Sequence, residues 1–260
     1  MNIYYPEFFR VYEYNDKKRY GQKSDGGYVI GNLPNNSYDC YISAGISNEE
    51  SFTRDFLNEY NIPYEHCYGF DGTINEYPKK YCENIRFTKK NISSYNDDKH
   101  TNMNEIFKKY EHIFLKMDIE GCEYSWLLNL DIKYLKKIRQ CVIEFHGVND
   151  DTWNCEHNDK LKCFKKLGKT HFLIHAHGNN NGTIHDNGIP NTLELTYMNY
   201  DEFKCIPHFS SKFLPIDEMD FPNNSRKKDY KLNYYPFMYN AKFFQPNIIF
   251  KIAKTHNDYF

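Results

Sequence analysis

The rhythm of apolar runs constrains this chain more than any other feature. From residue 39 onward, short apolar runs end abruptly in small or polar residues, and longer segments of helical period separate them. Cys40–Ala44 stops at Gly45, His66–Phe70 at Asp71, Ile113–Met117 at Asp118 and Cys141–Phe145 at His146. The segments between them read as helices: Glu49–Tyr60, with Phe52, Phe56 and Leu57 at helical spacing, then Asn104–Tyr110 and Glu123–Leu130, prolonged by Tyr134–Ile138. Asp159–Leu167 is a further amphipathic helix with Gly168 as its C-cap. Two late strands, His171–His177 and Thr192–Met198, flank a Gly/Asn loop, and Ile85–Ile92 is a weaker alternating strand. Strands alternating with helices demand parallel βαβ units, so the expected fold class is α/β, a doubly wound sheet with helices on both faces.

The ends of the chain differ from this pattern. Tyr4, Phe8, Phe9, Val11 and Tyr12 have helix-like spacing, and Arg19–Ile30 reads as a hairpin turning at Asp25-Gly26-Gly27. Beyond residue 205, Pro, Asn and charge increase and periodicity fades, while the aromatics of Tyr230–Phe244 predict a tail that packs on the body. The expected organisation is a helix and hairpin cover over 1–38, a sheet domain over 39–205 and an extension over 206–260 on the same domain.

Composition narrows the function classes. With 40% hydrophobic and 26% charged residues, 260 residues can bury a sizeable core. Lys plus Arg is 33 against 35 acidic residues, a net charge of −2, which argues against a chain built to grip phosphate backbones. The lysine pairs, such as Lys79-Lys80 and Lys136-Lys137, have acidic residues among them and read as solvated faces, so no nucleic-acid partner is expected. No run approaches the ~18 apolar residues of a membrane helix, and Met1–Glu7 lacks the basic-then-apolar pattern of a signal peptide. Eight cysteines without a C-x-x-C pair fit buried, reduced thiols, so a cytoplasmic protein with no membrane partner is expected. Aromatic content is high, at 18% with Tyr 24 and Phe 20. Together with abundant Asn, Lys and Ile this is what an AT-rich genome imposes, such as that of a virus or protist; the sharper reading is an aromatic platform for sugars or bases.

In open α/β sheets, ligands lie outside the carboxyl ends of the strands. The residues at and just beyond the end of each run are therefore the candidates: Ser43, Gly45 and Ser47 at the first strand, Asp71 after the second, Asp118 and Glu120 after the fourth, and Glu144 and His146 at the fifth. Gly45 has no Cβ to block a ligand's approach, and Asp71 is placed to accept both hydroxyls of a ribose. Gly then Asp on consecutive strands points to a nucleoside cofactor. The sequence has neither G-x-G-x-x-G nor G-x-x-x-x-G-K-[ST], which argues against a typical dinucleotide dehydrogenase and a nucleoside triphosphatase. His175 and His177 share one strand face, and His177, Asn179, Asn180 and the hairpin's Tyr28 are candidates for a polar substrate wall.

Leu115-Lys-Met-Asp-Ile-Glu-Gly-Cys-Glu123 resembles the L-K-x-D-x-E-G-x-E motif of the FkbM-like methyltransferases. Ser24–Val29, Ser43–Phe52, Gly69–Thr73, His177–Asn180 and Leu193–Tyr197 are similar to one branch of that family, in the expected order. The first glycine motif reads Ser43-Ala-Gly-Ile-Ser in place of the common D-x-G-x-x-x-G. The resemblance implies a Rossmann-like class I methyltransferase fold, with a seven-stranded, mostly parallel sheet and an antiparallel last strand. It implies S-adenosylmethionine as cofactor, with Gly45 beneath its methionine part, Asp71 on the ribose and Asp118 facing the transferring methyl and the substrate.

Methyl transfer to a hydroxyl needs in-line alignment and a place for the proton. Two mechanisms stand. His146, oriented by Glu144, acts as the base; or Asp118, Glu144 and His146 hold a divalent metal, Mg²⁺ or Mn²⁺, that lowers the hydroxyl's pKa. Glu120 sits where the chain turns into a helix and equally suits capping it. The leading reading is an O-methyltransferase for a sugar, glycan or other small hydroxylated acceptor. An amino-sugar N-methyltransferase and a catalytically inactive binding module are the alternatives.

Overall fold

Five parallel strands and two antiparallel junctions form the frame of the computed structural model, which describes residues 7–81, 84–153 and 155–238. In chain order the strands and helices are β1 (Lys17–Tyr20), β2 (Tyr28–Gly31), β3 (Cys40–Ala44), α1 (Ser51–Glu59), β4 (Cys67–Phe70), β5 (Arg86–Thr88), β6 (Asn91–Ile92) and β7 (His100–Thr101). Then follow α2 (Asn104–Lys109), β8 (Ile113–Met117), α3 (Glu123–Asn129), α4 (Ile132–Leu135), β9 (Ile138–His146), α5 (His157–Leu167), β10 (His171–Gly178) and β11 (Thr192–Asn199). The main sheet runs β5-β4-β3-β8-β9-β11-β10, and β11, the last strand, is antiparallel to both neighbours. The α/β expectation and the antiparallel Thr192–Met198 are both borne out.

Every residue of β3 and β8 is buried, because both faces of the sheet are covered. Ile42, Leu115, Ile143 and Phe145 face α2, α3 and α5, meeting Phe107, Trp126, Cys163 and Phe164. Tyr41, Phe114 and Val142 face the other way, onto Phe52 and Phe56 of α1 and onto Tyr20, Tyr28 and Ile30 of the hairpin. Phe56 and Phe114 lie 4.2 Å apart at their ring centroids, and Tyr41 stacks on Phe56 at 4.9 Å. Much of the aromatic excess is therefore core, where each ring removes roughly 150–250 Å² from water.

The β1–β2 hairpin forms as expected, turning through Gly26 at φ 83°. Its β2 edge is fixed to the sheet by polar bonds: Gln140 Oε1 accepts from Gly31 N, and Thr196 Oγ1 donates to Val29 O.

Two local expectations change and a third holds. Residues 7–15 are not a helix: after a 3-10 turn at Glu7–Phe9 the chain is extended. Its aromatics serve opposite sides of the fold, Phe9 packing on Phe164 and Tyr12 on Phe172, which a single helix face does not permit. Tyr4 lies outside the described residues. The segment 85–92 is two strands; Lys90 N turns back onto Thr88 O, so β5 joins the sheet while β6 pairs with β7 in a separate ribbon. Gly168 is the C-cap of α5, as expected, in right-handed conformation.

Residues 206–238 form no helix or strand of the named elements but are tied to the body. Ser210 N donates to Val11 O, Phe237 stacks on Phe9 at 5.8 Å, and Asp220 pairs with His175 at 2.9 Å. Tyr239 and Phe244, at the end of the expected aromatic tail, lie outside the described residues.

Candidate active site

The carboxyl ends of β3, β8 and β9 meet, and the conformations of their loops decide what sits there. Gly45 has φ 78°, and a Cβ built on it would lie 1.5 Å from the carbonyl oxygen of Asp118. Its glycine is required by the approach of the neighbouring strand-end turn, a different reason from room for a ligand. Lys116, buried in β8, donates its Nζ to Gly45 O and pairs with the buried Glu50. Ser43 is fully buried and donates to that same Glu50, so its hydroxyl is part of the core and not of a cofactor surface. Ser47 is exposed, with φ 47°.

Asp71 is occupied within the protein. Oδ2 accepts from Ile46 N and Ser47 N at 2.9 and 2.8 Å, and Oδ1 accepts from the backbone N and hydroxyl of Thr73. Burial alone would raise its pKa, but these donors outweigh it and hold the carboxyl below its usual value. The residue shapes the Gly45–Ser47 loop, a role the sequence pattern did not disclose.

The turn after β8 carries the motif Asp118-Ile-Glu-Gly. Glu120 adopts φ 53° and Gly121 φ 92°, a double left-handed turn that aims three side chains at one ring. His146, at the end of β9, has Nδ1 3.1 Å from Glu123 Oε1. Its Nε2 faces Glu120 Oε2 at 3.4 Å, Glu144 Oε1 at 3.7 Å and Asp118 Oδ1 at 3.9 Å. Glu123, fully buried, also accepts from Ile119 N and Gly121 N, both at 3.2 Å. So Glu123, and not Glu144, orients the histidine, and Glu123, and not Glu120, closes the turn. The signal for it was present as the last acidic position of the motif, at the start of α3.

Electrostatics follow from this crowding. Burial, reinforced by Glu120 and Glu123 and opposed by Lys116 and His146, raises the Asp118 carboxyl above its usual range. Burial with the charges of Asp118, Glu194 and Asp25 lifts Glu144 well above it. For His146, burial favours the neutral ring, but Glu123, Asp118 and Glu120 outweigh it and raise the pKa. Asp118 Oδ1 is buried without a hydrogen-bond partner among the described residues.

Glu144, Glu194 and His177 are direct cross-strand neighbours on β9, β11 and β10, so they form one row along the sheet. Glu144 accepts from Asn179 at 2.8 Å and faces the Tyr28 hydroxyl at 3.5 Å. His177 is held between Glu194 at 2.8 Å and Asp229 at 3.0 Å, which raise its pKa well above the ordinary value although burial opposes this. Asn223 links Glu194 to Asp25 of the hairpin turn. Asn180 is fully buried and binds the backbone of Asn224, Lys227 and Lys228. Of the residues expected to form a substrate wall, Tyr28 and Asn179 therefore reach Glu144, whereas His177 and Asn180 anchor the 223–229 segment. Asp25, Glu194, Asn223 and Asp229 were not foreseen, because their proximity arises only from the fold.

Among the described residues, carboxylates and imidazoles form two groups whose ligand atoms lie within 4.8 Å of one another: Asp118, Glu120 and His146, and Asp25, Glu144 and Glu194. The expected grouping of Asp118, Glu144 and His146 is thus not the one formed; Glu120 stands in the place of Glu144.

A seven-stranded sheet with an antiparallel last strand, carrying this cluster at its parallel strand ends, defines a Rossmann-like class I methyltransferase. The chain belongs to the methyltransferase FkbM domain family, whose profile matches residues 9–181. Among solved structures it is similar to the fibrillarin pre-rRNA processing protein of Methanococcus jannaschii, at 11% identity over 65% of this chain and 69% of that one, TM-score 0.35. It is also similar to the methyltransferase domain of the bacterial CtHen1, at 13% identity over 62% of this chain and 91% of that one, TM-score 0.31. No curated protein matches the chain. No helix among the described residues is long and apolar enough to cross a membrane.

Proposed function

We propose that the protein methylates a hydroxyl of a sugar, glycan or other small hydroxylated acceptor, using S-adenosylmethionine. The observation that carries this reading is the Glu123–His146 pair, 3.1 Å apart, whose outer nitrogen faces carboxylates at the ends of β8 and β9. The cofactor fits the loop after β3 on one structural ground: Asp118 Oδ1 is a buried acceptor with no partner among the described residues, beside Gly45. Gly45, Ser47 and Asp118 would frame the cofactor, with Asp71 holding their loop in shape. When bound, the cofactor supplies an electrophilic methyl group on a sulfonium sulfur.

Glu123 accepts the Nδ1 proton of His146, which leaves Nε2 with its lone pair outward. Nε2 takes the acceptor's hydroxyl proton as the O–C bond forms and the S–C bond breaks. Asp118, Glu120 and Glu123 stabilise the resulting imidazolium, while Glu144 holds Asn179 and the Tyr28 hydroxyl beside the site.

A second mechanism is favoured by the grouping of Asp118, Glu120 and His146. These hard oxygens with one imidazole suit Mg²⁺ or Mn²⁺, which would acidify the hydroxyl in place of the base. The acceptor is a small molecule or glycan and not a nucleic acid, in keeping with the net charge of −2. Calorimetry with S-adenosylmethionine tests the class: absence of binding removes the proposal. A chelator titration separates the mechanisms, since the base mechanism predicts full activity in excess chelator.

A further inference from the structure

Trp153 lies in the loop after β9 and belongs to no core cluster. It is 45% exposed, yet its backbone has φ 60°, a conformation a bulky residue adopts only when its surroundings impose it. The surroundings are visible. A Cβ on Gly121 would meet Trp153 atoms at 2.6 to 2.7 Å, and a Cβ on Gly147 would meet its Cδ1 at 2.5 Å. Both glycines have positive φ, one directly after Glu120 and the other directly after His146. The indole is thus lodged against the two turns that carry the reactive side chains, with its ring centroid 5.4 Å from that of His146.

The loop that presents it is rigidly held. Lys160 of α5 is fully buried, and its Nζ donates to the carbonyls of Gly147, Asp150 and Thr152 at 2.6, 3.0 and 2.8 Å. Asp150 in turn accepts from Thr152 N and from Asn191. Core packing does not explain an indole that stays almost half in water at the end of such a construction. Rigid aromatic surface beside a few polar groups is what a binding site uses to fix orientation.

We propose that Trp153 is the acceptor platform: its indole packs against the C–H face of a pyranose ring, with a ring hydroxyl directed toward His146 Nε2. This rests on the acceptor class proposed above. Glu120, whose carboxylate is largely exposed beside His146, accepts from a neighbouring sugar hydroxyl. Lys160 is a positioning residue, acting through the loop.

The chain contains two tryptophans, and the other, Trp126, is 1% exposed, so acrylamide quenching of the full-length protein reports on Trp153. The probes are the methyl glycosides of glucose, galactose, mannose, rhamnose and xylose, each added with S-adenosylhomocysteine. At least one should shield Trp153 from quenching. Trp153→Ala should raise KM for that glycoside roughly tenfold or more, leave kcat within about twofold and leave cofactor Kd unchanged, while Trp153→Phe restores most of the affinity. Cofactor binding without shielding by any glycoside overturns the proposal, as does Trp153→Ala with unchanged KM. A Trp153→Ala protein that loses cofactor binding or kcat, with Trp153→Phe behaving alike, also overturns it, because the ring would then be a strut between the two turns. Failure of the wild type to bind cofactor is a separate result and removes the methyltransferase reading itself.

Discussion

Replacing Gly45 by Ala tests how the two central strand ends are joined. The added Cβ would sit 1.5 Å from the Asp118 carbonyl oxygen, where ordinary contacts begin near 3.4 Å, so one turn must withdraw by roughly 2 Å. That movement breaks the Asp118 N to Ala44 O bond of 2.9 Å and pulls Gly45 O from Lys116 Nζ. The left-handed backbone adds about 1 kcal/mol of strain for a non-glycine residue, and the lost bond with displaced, desolvated partners adds about 2 kcal/mol. A total of about 3 kcal/mol corresponds to a fall in Tm of roughly 6–12 °C for a chain of this size. Thermal unfolding followed by circular dichroism measures it, and calorimetry on the same sample should show weakened S-adenosylmethionine binding, since Asp118 moves with the turn. A Gly45→Ala protein with wild-type Tm would refute the claim that this contact dictates the glycine. Wild-type cofactor affinity alongside a lowered Tm would detach the turn from the cofactor site.

His171 is buried, with Nδ1 on Thr170 Oγ1 and Nε2 on Ile138 O, and burial brings its pKa down to about 4. An unfolded histidine titrates near 6.5, so the unfolded state binds one more proton between these values, and stability falls by about 3 kcal/mol as pH drops from above 6.5 to 4. Urea titrations across that range should show the slope, and His171→Gln should flatten it; an unchanged slope would contradict the assignment. Glu123→Gln keeps shape but loses a charge-assisted bond of about 1.5–3 kcal/mol, so kcat should fall roughly ten- to hundred-fold, while cofactor Kd stays within about threefold. Equal losses in both would mean that Glu123 acts by folding the turn alone. Asn180→Ala removes the donor shared by the part-buried carbonyls of Asn224, Lys227 and Lys228 and the acceptor of Asn224 N, at about 1 kcal/mol, and should speed amide exchange at Asn224–Lys228 with little change elsewhere.

The sheet was legible because parallel strands buried on both faces leave a pattern no other element shares: five apolar residues, an abrupt polar stop, then a helical period. The same pattern marked Asp118 and His146, since each stands where a strand stops and a loop of the candidate site begins. What stayed hidden depends on contacts between distant segments. Glu144 and Glu123 are both carboxylates near strand ends in sequence, and only the left-handed turn at Glu120 and Gly121 brings Glu123 to Nδ1. Asp71 stood at the expected position, but its four internal donors come from two loops whose paths no periodicity specifies. Ser43 stood at the end of the expected strand as a cofactor candidate, but its hydroxyl is bound to Glu50, whose burial no local pattern announces. The 206–238 segment, without periodicity of its own, contributes Asp229 and Asn223 to the acidic row because Asn180 pins its backbone.

Transfer of a labelled methyl group from S-adenosylmethionine to glycan, protein and RNA pools, by wild type and by His146→Ala, tests the central claim most directly. The account predicts label in the glycan pool, loss of at least roughly 100-fold with His146→Ala, and a cofactor Kd that the substitution leaves unchanged. Undiminished transfer by His146→Ala, or label confined to RNA or protein, would contradict it.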